Sequence, residues 1–390
     1  MWLPDETDLP EELKMLQTLL RKFIKDELMP LESQTEARGE APPDIKKQLQ
    51  GKMKELGIRN MWAPAEYGCA GLHVLGKCVA GEEIGRLSIA LGWLFGDCLW
   101  GSVAREIPPD ATEDQKQRFF IPLARGDKQM CVAFTEPNAG TDLNVIETTA
   151  VKKGTNYVIN GSKIFITNAD RADFTIVLAI TDKQKRSHGG LSSIIVEKGT
   201  PGFKVARNLE FMGHRGVNAC ELVFEDCVVP VANLLGQGGD GLRRTAKLLT
   251  HGRLVIGAAA VGVAMRCLEA SAQYAKQRVT FGQTIGSRQG VQWMLADMAM
   301  DIYAVRSMAY AAAREYDQGI DVRHKASMVK LYGTEMALRA ADMAMQIHGG
   351  MGYSKDLPFE MLYRDWRMTK VGEGPSELMK HLVARAILAD

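Results

Sequence analysis

The chain has 390 residues, 46% hydrophobic and 24% charged, with a formal net charge of +1, a globular composition with room for two or three domains. Such balanced charge makes no global field for nucleic acid or an anionic membrane, and no uninterrupted apolar run reaches the ~18 residues of a membrane span. The seven cysteines, Cys69, Cys78, Cys98, Cys131, Cys220, Cys227 and Cys267, are odd in number and lack a C-x-x-C pair, which predicts reduced thiols rather than a disulfide framework or zinc knuckle.

Residues 1–128 read as a helical domain. The opening MWLPDETDLPEELK is acidic and broken by prolines, unlike a signal or transit peptide. With the reduced thiols it predicts a cytoplasmic protein, or an organellar-matrix one if a transit peptide has been removed. EELKMLQTLLRKFIKDEL repeats apolar residues at helical spacing. HVLGKCVAGEEIGRLSIALGWLFGDCLWGSVA is apolar and rich in small residues, so its glycines suit tight helix contacts or a cavity wall.

The character changes at residue 129. QMCVAFTE, NYVINGSKIFITN, DFTIVLAIT, LSSIIVEK, FKVARNLEF and ACELVFEDCVV are short and rich in β-branched residues. Turn signals at Asn160-Gly161, Gly189-Gly190 and Pro201-Gly202 mark a compact antiparallel β-domain over 129–236, a barrel or sandwich. From 237 to 390 three long helical stretches follow, each of the last two closing on glycine. Helices of that length bundle with one another. The fold class is α+β and multi-domain: helical, β, helical.

GQGGDG (Gly236–Gly241) matches the dinucleotide-binding G-x-G-x-x-G literally. That fingerprint needs an acid about 20 residues on, within a βαβ unit. Here the stretch is VIGAAAVGVA and helix follows helix, so the glycines read as the turn leaving the β-domain. The seven histidines form no H-x-x-x-H pair, which predicts no metal site.

Three stretches carry chemistry. AFTEPNAGTD ends a strand and opens a turn whose hydroxyls, Thr135 and Thr141, and backbone N–H groups suit phosphate or carbonyl oxygens. NGSKIFITN sets Phe165 and Thr167 on one strand face, able to flank a flat heteroaromatic ring and hydrogen-bond its edge. KVGEGPSELMKH isolates Glu373 between Gly372 and Gly374, just before a helix led by Pro375.

Taken together, AFTEPNAGTD and NGSKIFITN resemble the two signature segments of the acyl-CoA dehydrogenase family. YAKQRVTFG, QIHGGMGY and YRDWRMTKVGEG resemble three further family segments, in the same order and spacing. The resemblance runs the length of the chain and implies a four-helix bundle as its C-terminal domain. It implies FAD as cofactor, an acyl-CoA substrate, and oxidation to the trans-2-enoyl-CoA. It also implies electron-transfer flavoprotein as acceptor and a homo-oligomer, a tetramer built as a dimer of dimers.

Residue by residue, the resemblance gives Phe134, Thr135, Phe165, Ile166 and Thr167 to the flavin ring, with Thr167 donating to flavin N5. It gives Arg278, Phe281, Gln289, Gln346, Gly349 and Gly350 to the pyrophosphate and adenosine of a neighbouring subunit's FAD, where an Arg fork suits a pyrophosphate. Ser376 and Glu377 fall in the FAD-contacting segment after the Glu-Gly pair. Thr141, Thr250, Arg253, Gly372 and Gly374 match substrate-contacting positions, although the family's usual acid is Thr250 here. Glu373 matches the base that removes the α-proton while the β-hydride passes to flavin N5. The alternative base position, directly before Arg253, holds Gly252. Gly372 replaces a frequent bulky residue and predicts a roomier pocket. The alternatives are an oxygen-reactive acyl-CoA oxidase on the same fold and a flavin-binding, non-catalytic structural protein.

Overall fold

The structure, a computed structural model, describes residues 9–95 and 108–389. The segment GDCLWGSVAREI, which holds Cys98 and the GDCLWGSVA end of the small-residue apolar run above, lies outside the described residues.

The first region is built from α1 (Glu11–Phe23), α2 (Glu32–Arg38), α3 (Pro43–Glu55) and α4 (Val74–Ile84), followed by the short α5 (Ile89–Gly92), α6 (Glu113–Gln115) and α7 (Ile121–Arg125). Every residue of α4 is buried, because it is wedged between α1 and the C-terminal helices. That position explains its glycines. A methyl group at Gly85, just after α4, would run into the carbonyl of Ala259, and one at Gly262 into that of Glu82. The missing side chains let two backbones approach closely. The Asp317 carboxylate, distant in sequence, accepts the N–H groups of Val74 (2.8 Å) and Leu75 (3.0 Å) and so caps α4.

The second region holds β1 (Met130–Ala133), β2 (Thr149–Lys153), β3 (Asn156–Thr167), β4 (Phe174–Ile180), β5 (Leu191–Glu197), β6 (Phe203–Leu209), β7 (Ala219–Pro230) and β8 (Leu234–Leu235). Seven of them lie in the order β6-β7-β3-β2-β4-β5-β8, and β1 pairs with β4. The expectation of a purely antiparallel sheet is corrected: β1 runs parallel to β4, and β2 meets β4 in parallel at Thr149–Ile180. Both partners reach β4 after connections that do not reverse the chain as a hairpin would. Asn160-Gly161 is not a turn. It sits inside β3 at a register shift against β7, and a Cβ at Gly161 would overlap Thr148. The inner face packs Ile159, Ile166, Val177, Ile194, Leu222 and Phe224.

The glycine turn 236–241 delivers the chain into α8 (Gly241–Gln277), with Gly236 and Gly239 at positive φ. A small hairpin, β9 (Val279–Thr280) and β10 (Gln283–Thr284), leads to α9 (Gln289–Asp317) and α10 (Arg323–His348). Then come α11 (Gly350–Tyr353), α12 (Phe359–Arg367) and α13 (Ser376–Ile387). Helices α8, α9, α10 and α13 form the bundle. One window of α8 is apolar enough to cross a membrane, with mean hydropathy 1.6, but 83% of it is buried as the bundle's central strut. Buried ion pairs lock the first region to the bundle: Arg306–Glu82 and Arg266–Glu32, each 2.6 Å. The six described cysteines form no disulfide with one another.

Candidate active site

The GEG loop joins α12 to α13. After α12 a tight turn closes when the N–H groups of Val371 and Gly372 both donate to Met368 O at 2.8 Å. The turn ends there and does not use the N–H of Glu373. The left-handed backbone falls on Glu373 itself (φ 54°) and on Gly374 (φ 101°), not on Gly372. Glycine tolerates this, but glutamate does so at a cost of roughly 1–2 kcal/mol.

Two buried cations hold the strained turn. Arg253, on α8, donates from Nε and Nη2 to Glu373 O, both at 3.2 Å. Lys330, on α10, donates from Nζ to Gly374 O at 2.6 Å. The Glu373 residue is only partly covered, but its Oε2 is buried without a hydrogen-bond donor among the described residues. Burial pushes the carboxyl up to about 7, and the charges of Arg253 and then Lys330 restrain the rise. A carboxyl poised near neutrality, its oxygen unsolvated and its backbone pinned, has the properties of a general base.

Segments of the β-domain form a second cluster. Ile164 N–H donates to Thr135 O at 2.9 Å, joining β3 to the loop after β1. The buried Lys163 Nζ reaches Glu136 Oε1 (2.8 Å) and Phe134 O (3.0 Å), while Glu136 also accepts the N–H groups of Glu147 and Thr148. Above this ion pair β3 bulges between Lys163 and Ile166, and Phe165 takes φ 61°. The bulge turns the Phe165 ring outward, 55% exposed and stacked on Phe211 at 6.3 Å, while Thr167 stays partly covered.

A third cluster lies at one end of the bundle. Tyr274 stacks on His348 at 4.4 Å, and the His348 ring meets Phe359 at a tilt at 4.5 Å, bringing together the ends of α8 and α10 and the start of α12. Arg278, Phe281, Gln289, Gln346, Gly349 and Gly350 are all exposed there, Phe281 at 98%. The Arg288 guanidinium lies 5.9 Å over the Phe281 ring.

Several expected contacts are redirected. The Ile166 side chain is buried in the sheet core, so only its main chain faces outward chemistry. The buried Thr250 hydroxyl donates to Ala246 O at 2.9 Å within α8, and Arg253 is spent on the loop. Ser376 donates to Glu335 Oε1 at 2.8 Å, while Glu377 and Thr141 are exposed. The room expected beside Gly372 is already filled: a Cβ there would sit 2.6 Å from Met368 Sδ. Lys330 and the Lys163–Glu136 pair escaped the sequence reading, because a lysine in a helix or strand ordinarily signals solvent.

Three family models match in chain order: acyl-CoA dehydrogenase N-terminal domain over residues 10–127, middle domain over 131–227 and C-terminal domain over 239–388. A Bacillus subtilis protein named acyl-CoA dehydrogenase is 39% identical over 379 residues, 97% of this chain and 98% of that one. The structure of butyryl-CoA dehydrogenase from Megasphaera elsdenii superposes with a TM-score of 0.88 at 33% identity, over 98% of this chain and 100% of that one. A chain reported with the electron transferring flavoprotein of Acidaminococcus fermentans superposes with a TM-score of 0.89 at 36% identity, over 99% and 100%. With three domains matched in order over nearly its whole length, the chain belongs to the acyl-CoA dehydrogenase family, a family of flavoprotein oxidoreductases.

Proposed function

We propose that the protein is an FAD-dependent dehydrogenase that converts an acyl-CoA to the trans-2-enoyl-CoA, with Glu373 as the α-proton base. The observation that carries this is the desolvated Glu373 carboxyl, held near neutral pH in a left-handed turn. An α-proton next to a thioester is a weak acid, so its removal needs a base freed from water and a donor at the thioester oxygen. Glu373 supplies the first with its side chain. Its N–H, left out of the preceding turn, suits the second.

The residues fit a flavin. Phe165 and Phe211 offer an exposed apolar platform beside Thr167. Arg278 and Phe281 offer a charged fork and a bare aromatic ring at the bundle end, where Gln289, Gln346, Gly349 and Gly350 are also open. Phe134, Thr135, Phe165 and Thr167 would hold the ring system, and the bundle-end residues the pyrophosphate and adenosine. Bound there, FAD supplies the hydride acceptor. The chain's own residues orient the thioester, exclude water from Oε2 and take the α-proton.

Electron-transfer flavoprotein is the proposed acceptor, supported by the likeness to the Acidaminococcus fermentans chain. A homo-oligomer is supported by an open apolar groove of about 530 Å³ lined by Met308, Met328, Leu331, Tyr332, Val383 and Ile387 on α9, α10 and α13. Bare bundle-end residues fit an FAD shared between subunits. The bacterial relative favours a cytoplasmic location.

The test is anaerobic mixing of the FAD-loaded protein with a panel of acyl-CoA thioesters. The proposal expects loss of the oxidised flavin absorbance with at least one of them and no peroxide burst on admission of air. No response to any thioester supports a binding protein, and rapid peroxide release supports an oxidase.

A further inference from the structure

The environment of Lys330 goes beyond what the family resemblance assigns. Lys330 is 0% exposed, within α10. Burying an ammonium is costly unless it is paired. An ammonium has three donors, yet among the described residues the one hydrogen bond Nζ makes is to Gly374 O at 2.6 Å. Burial presses its titration down to about 8; Glu373, Glu335 and Glu377 oppose that, and Arg253 adds to it. Glu335 is already matched by Lys370 (2.7 Å) and Ser376, and Glu377 is exposed. The group left to answer the buried charge is the GEG loop. Among the described residues, the charges that restrain the rise at Glu373 are Arg253 from α8 and Lys330 from α10.

We infer that Lys330 is a positioning residue for Glu373: its Nζ–H anchors the Gly374 carbonyl, completing with Arg253 the clamp on the left-handed turn, and its charge biases the carboxyl toward the form that accepts a proton. The inference rests on Glu373 being the base. Arg253 fixes the carbonyl of the Glu373–Gly374 peptide and Lys330 that of the Gly374–Pro375 peptide, so the two cations come from different helices onto consecutive units of one turn. Neither touches the carboxyl oxygen Oε2, which stays free to take a proton.

Two substitutions separate anchor from charge. Lys330→Gln keeps a donor for Gly374 O and loses the charge, whereas Lys330→Met loses both. Two reactions of the FAD-loaded protein are followed between about pH 5 and 9. One is anaerobic flavin bleaching by butyryl-CoA. The other is exchange of the α-protons of acetyl-CoA with D2O, read by NMR; acetyl-CoA has no β-carbon, so it isolates proton removal from hydride transfer.

In both variants the midpoint of the pH profile moves upward by about one unit in both reactions, because the base has lost a nearby cation. The high-pH plateau stays within a few-fold of wild type in Lys330→Gln and drops at least about tenfold in Lys330→Met, where the carbonyl loses its donor. Wild-type midpoints in Lys330→Gln overturn the inference, whatever happens to the plateau. If Lys330→Met fails to retain FAD, Lys330→Gln decides. Exchange by Glu373→Gln at the wild-type rate shows instead that the base is misassigned, and removes the inference with it.

Discussion

At Glu373 a side chain and a backbone are both held in unfavourable states. Its carboxyl is desolvated, and its φ of 54° lies where non-glycine residues rarely sit. The sequence made the acid conspicuous, because two glycines flank it and a proline-led helix follows. It did not show that the strain falls on the acid, because φ depends on where Arg253 and Lys330 pull the carbonyls. The linkage to stability has a definite sign. Folding raises the Glu373 pKa, so the folded state binds more protons than the unfolded one between about 4.5 and 7, and stability falls as pH rises through that window. Glu373→Gln removes that penalty. Its thermal midpoint is expected to exceed that of wild type by a few degrees at pH ~8 and to converge with it near pH ~5, as melting curves will show. An equal difference at both values would count against a buried, titrating Glu373. Gly372 teaches the opposite lesson. Its missing side chain is answered by the Met368 thioether, a neighbour four residues back that no spacing rule names. Met368→Ala is expected to raise the turnover of branched or long acyl-CoA relative to butyryl-CoA by severalfold. An unchanged ratio places the acyl pocket elsewhere.

Among the elements, β3 and the loop after β1 show how a local departure from regularity makes a site. Alternation along KIFIT predicts Phe165 and Thr167 opposite Ile166; Ile166 is buried and Phe165 exposed. The bulge that exposes Phe165 was illegible, because it is set by pairing with β7 and by the ion pair beneath. Lys163 is buried, and its titration is pressed down to about 8 by desolvation and partly restored by Glu136. Removing one member of such a pair leaves the other charge stranded, at a cost of about 3–5 kcal/mol. Lys163→Met is therefore expected to weaken FAD retention and lower the thermal midpoint, measured by flavin absorbance after gel filtration and by circular dichroism. Full flavin content with an unchanged melt would show that the pair does not support the platform.

For the whole molecule, the order helical region, β-domain, helical bundle was legible because hydrophobic period and β-branching change abruptly near residue 129 and again at the glycine turn 236–241. What was illegible is how the regions are joined. Asp365, seen in the sequence only as part of a motif, accepts the N–H of His214 from the β-domain (2.7 Å) and of Ile89 from the first region (3.2 Å). Burial pushes its carboxyl up to about 7 and the His214 imidazole down to about 4. The segment ending in GEG is thus anchored to all three regions: by Asp365 at its start, and by Arg253 and Lys330 at its end. The parallel pairing of β1 with β4 was likewise hidden, since the two strands lie about 40 residues apart and neither carries a mark of its partner. These joints converge on a single carboxylate, and the most direct measurement is anaerobic stopped-flow reduction of the FAD-loaded protein by the acyl-CoA that bleaches wild type fastest. Glu373→Gln is expected to retain its flavin yet lose bleaching by several orders of magnitude; near-wild-type bleaching in that variant would rule out Glu373 as the base.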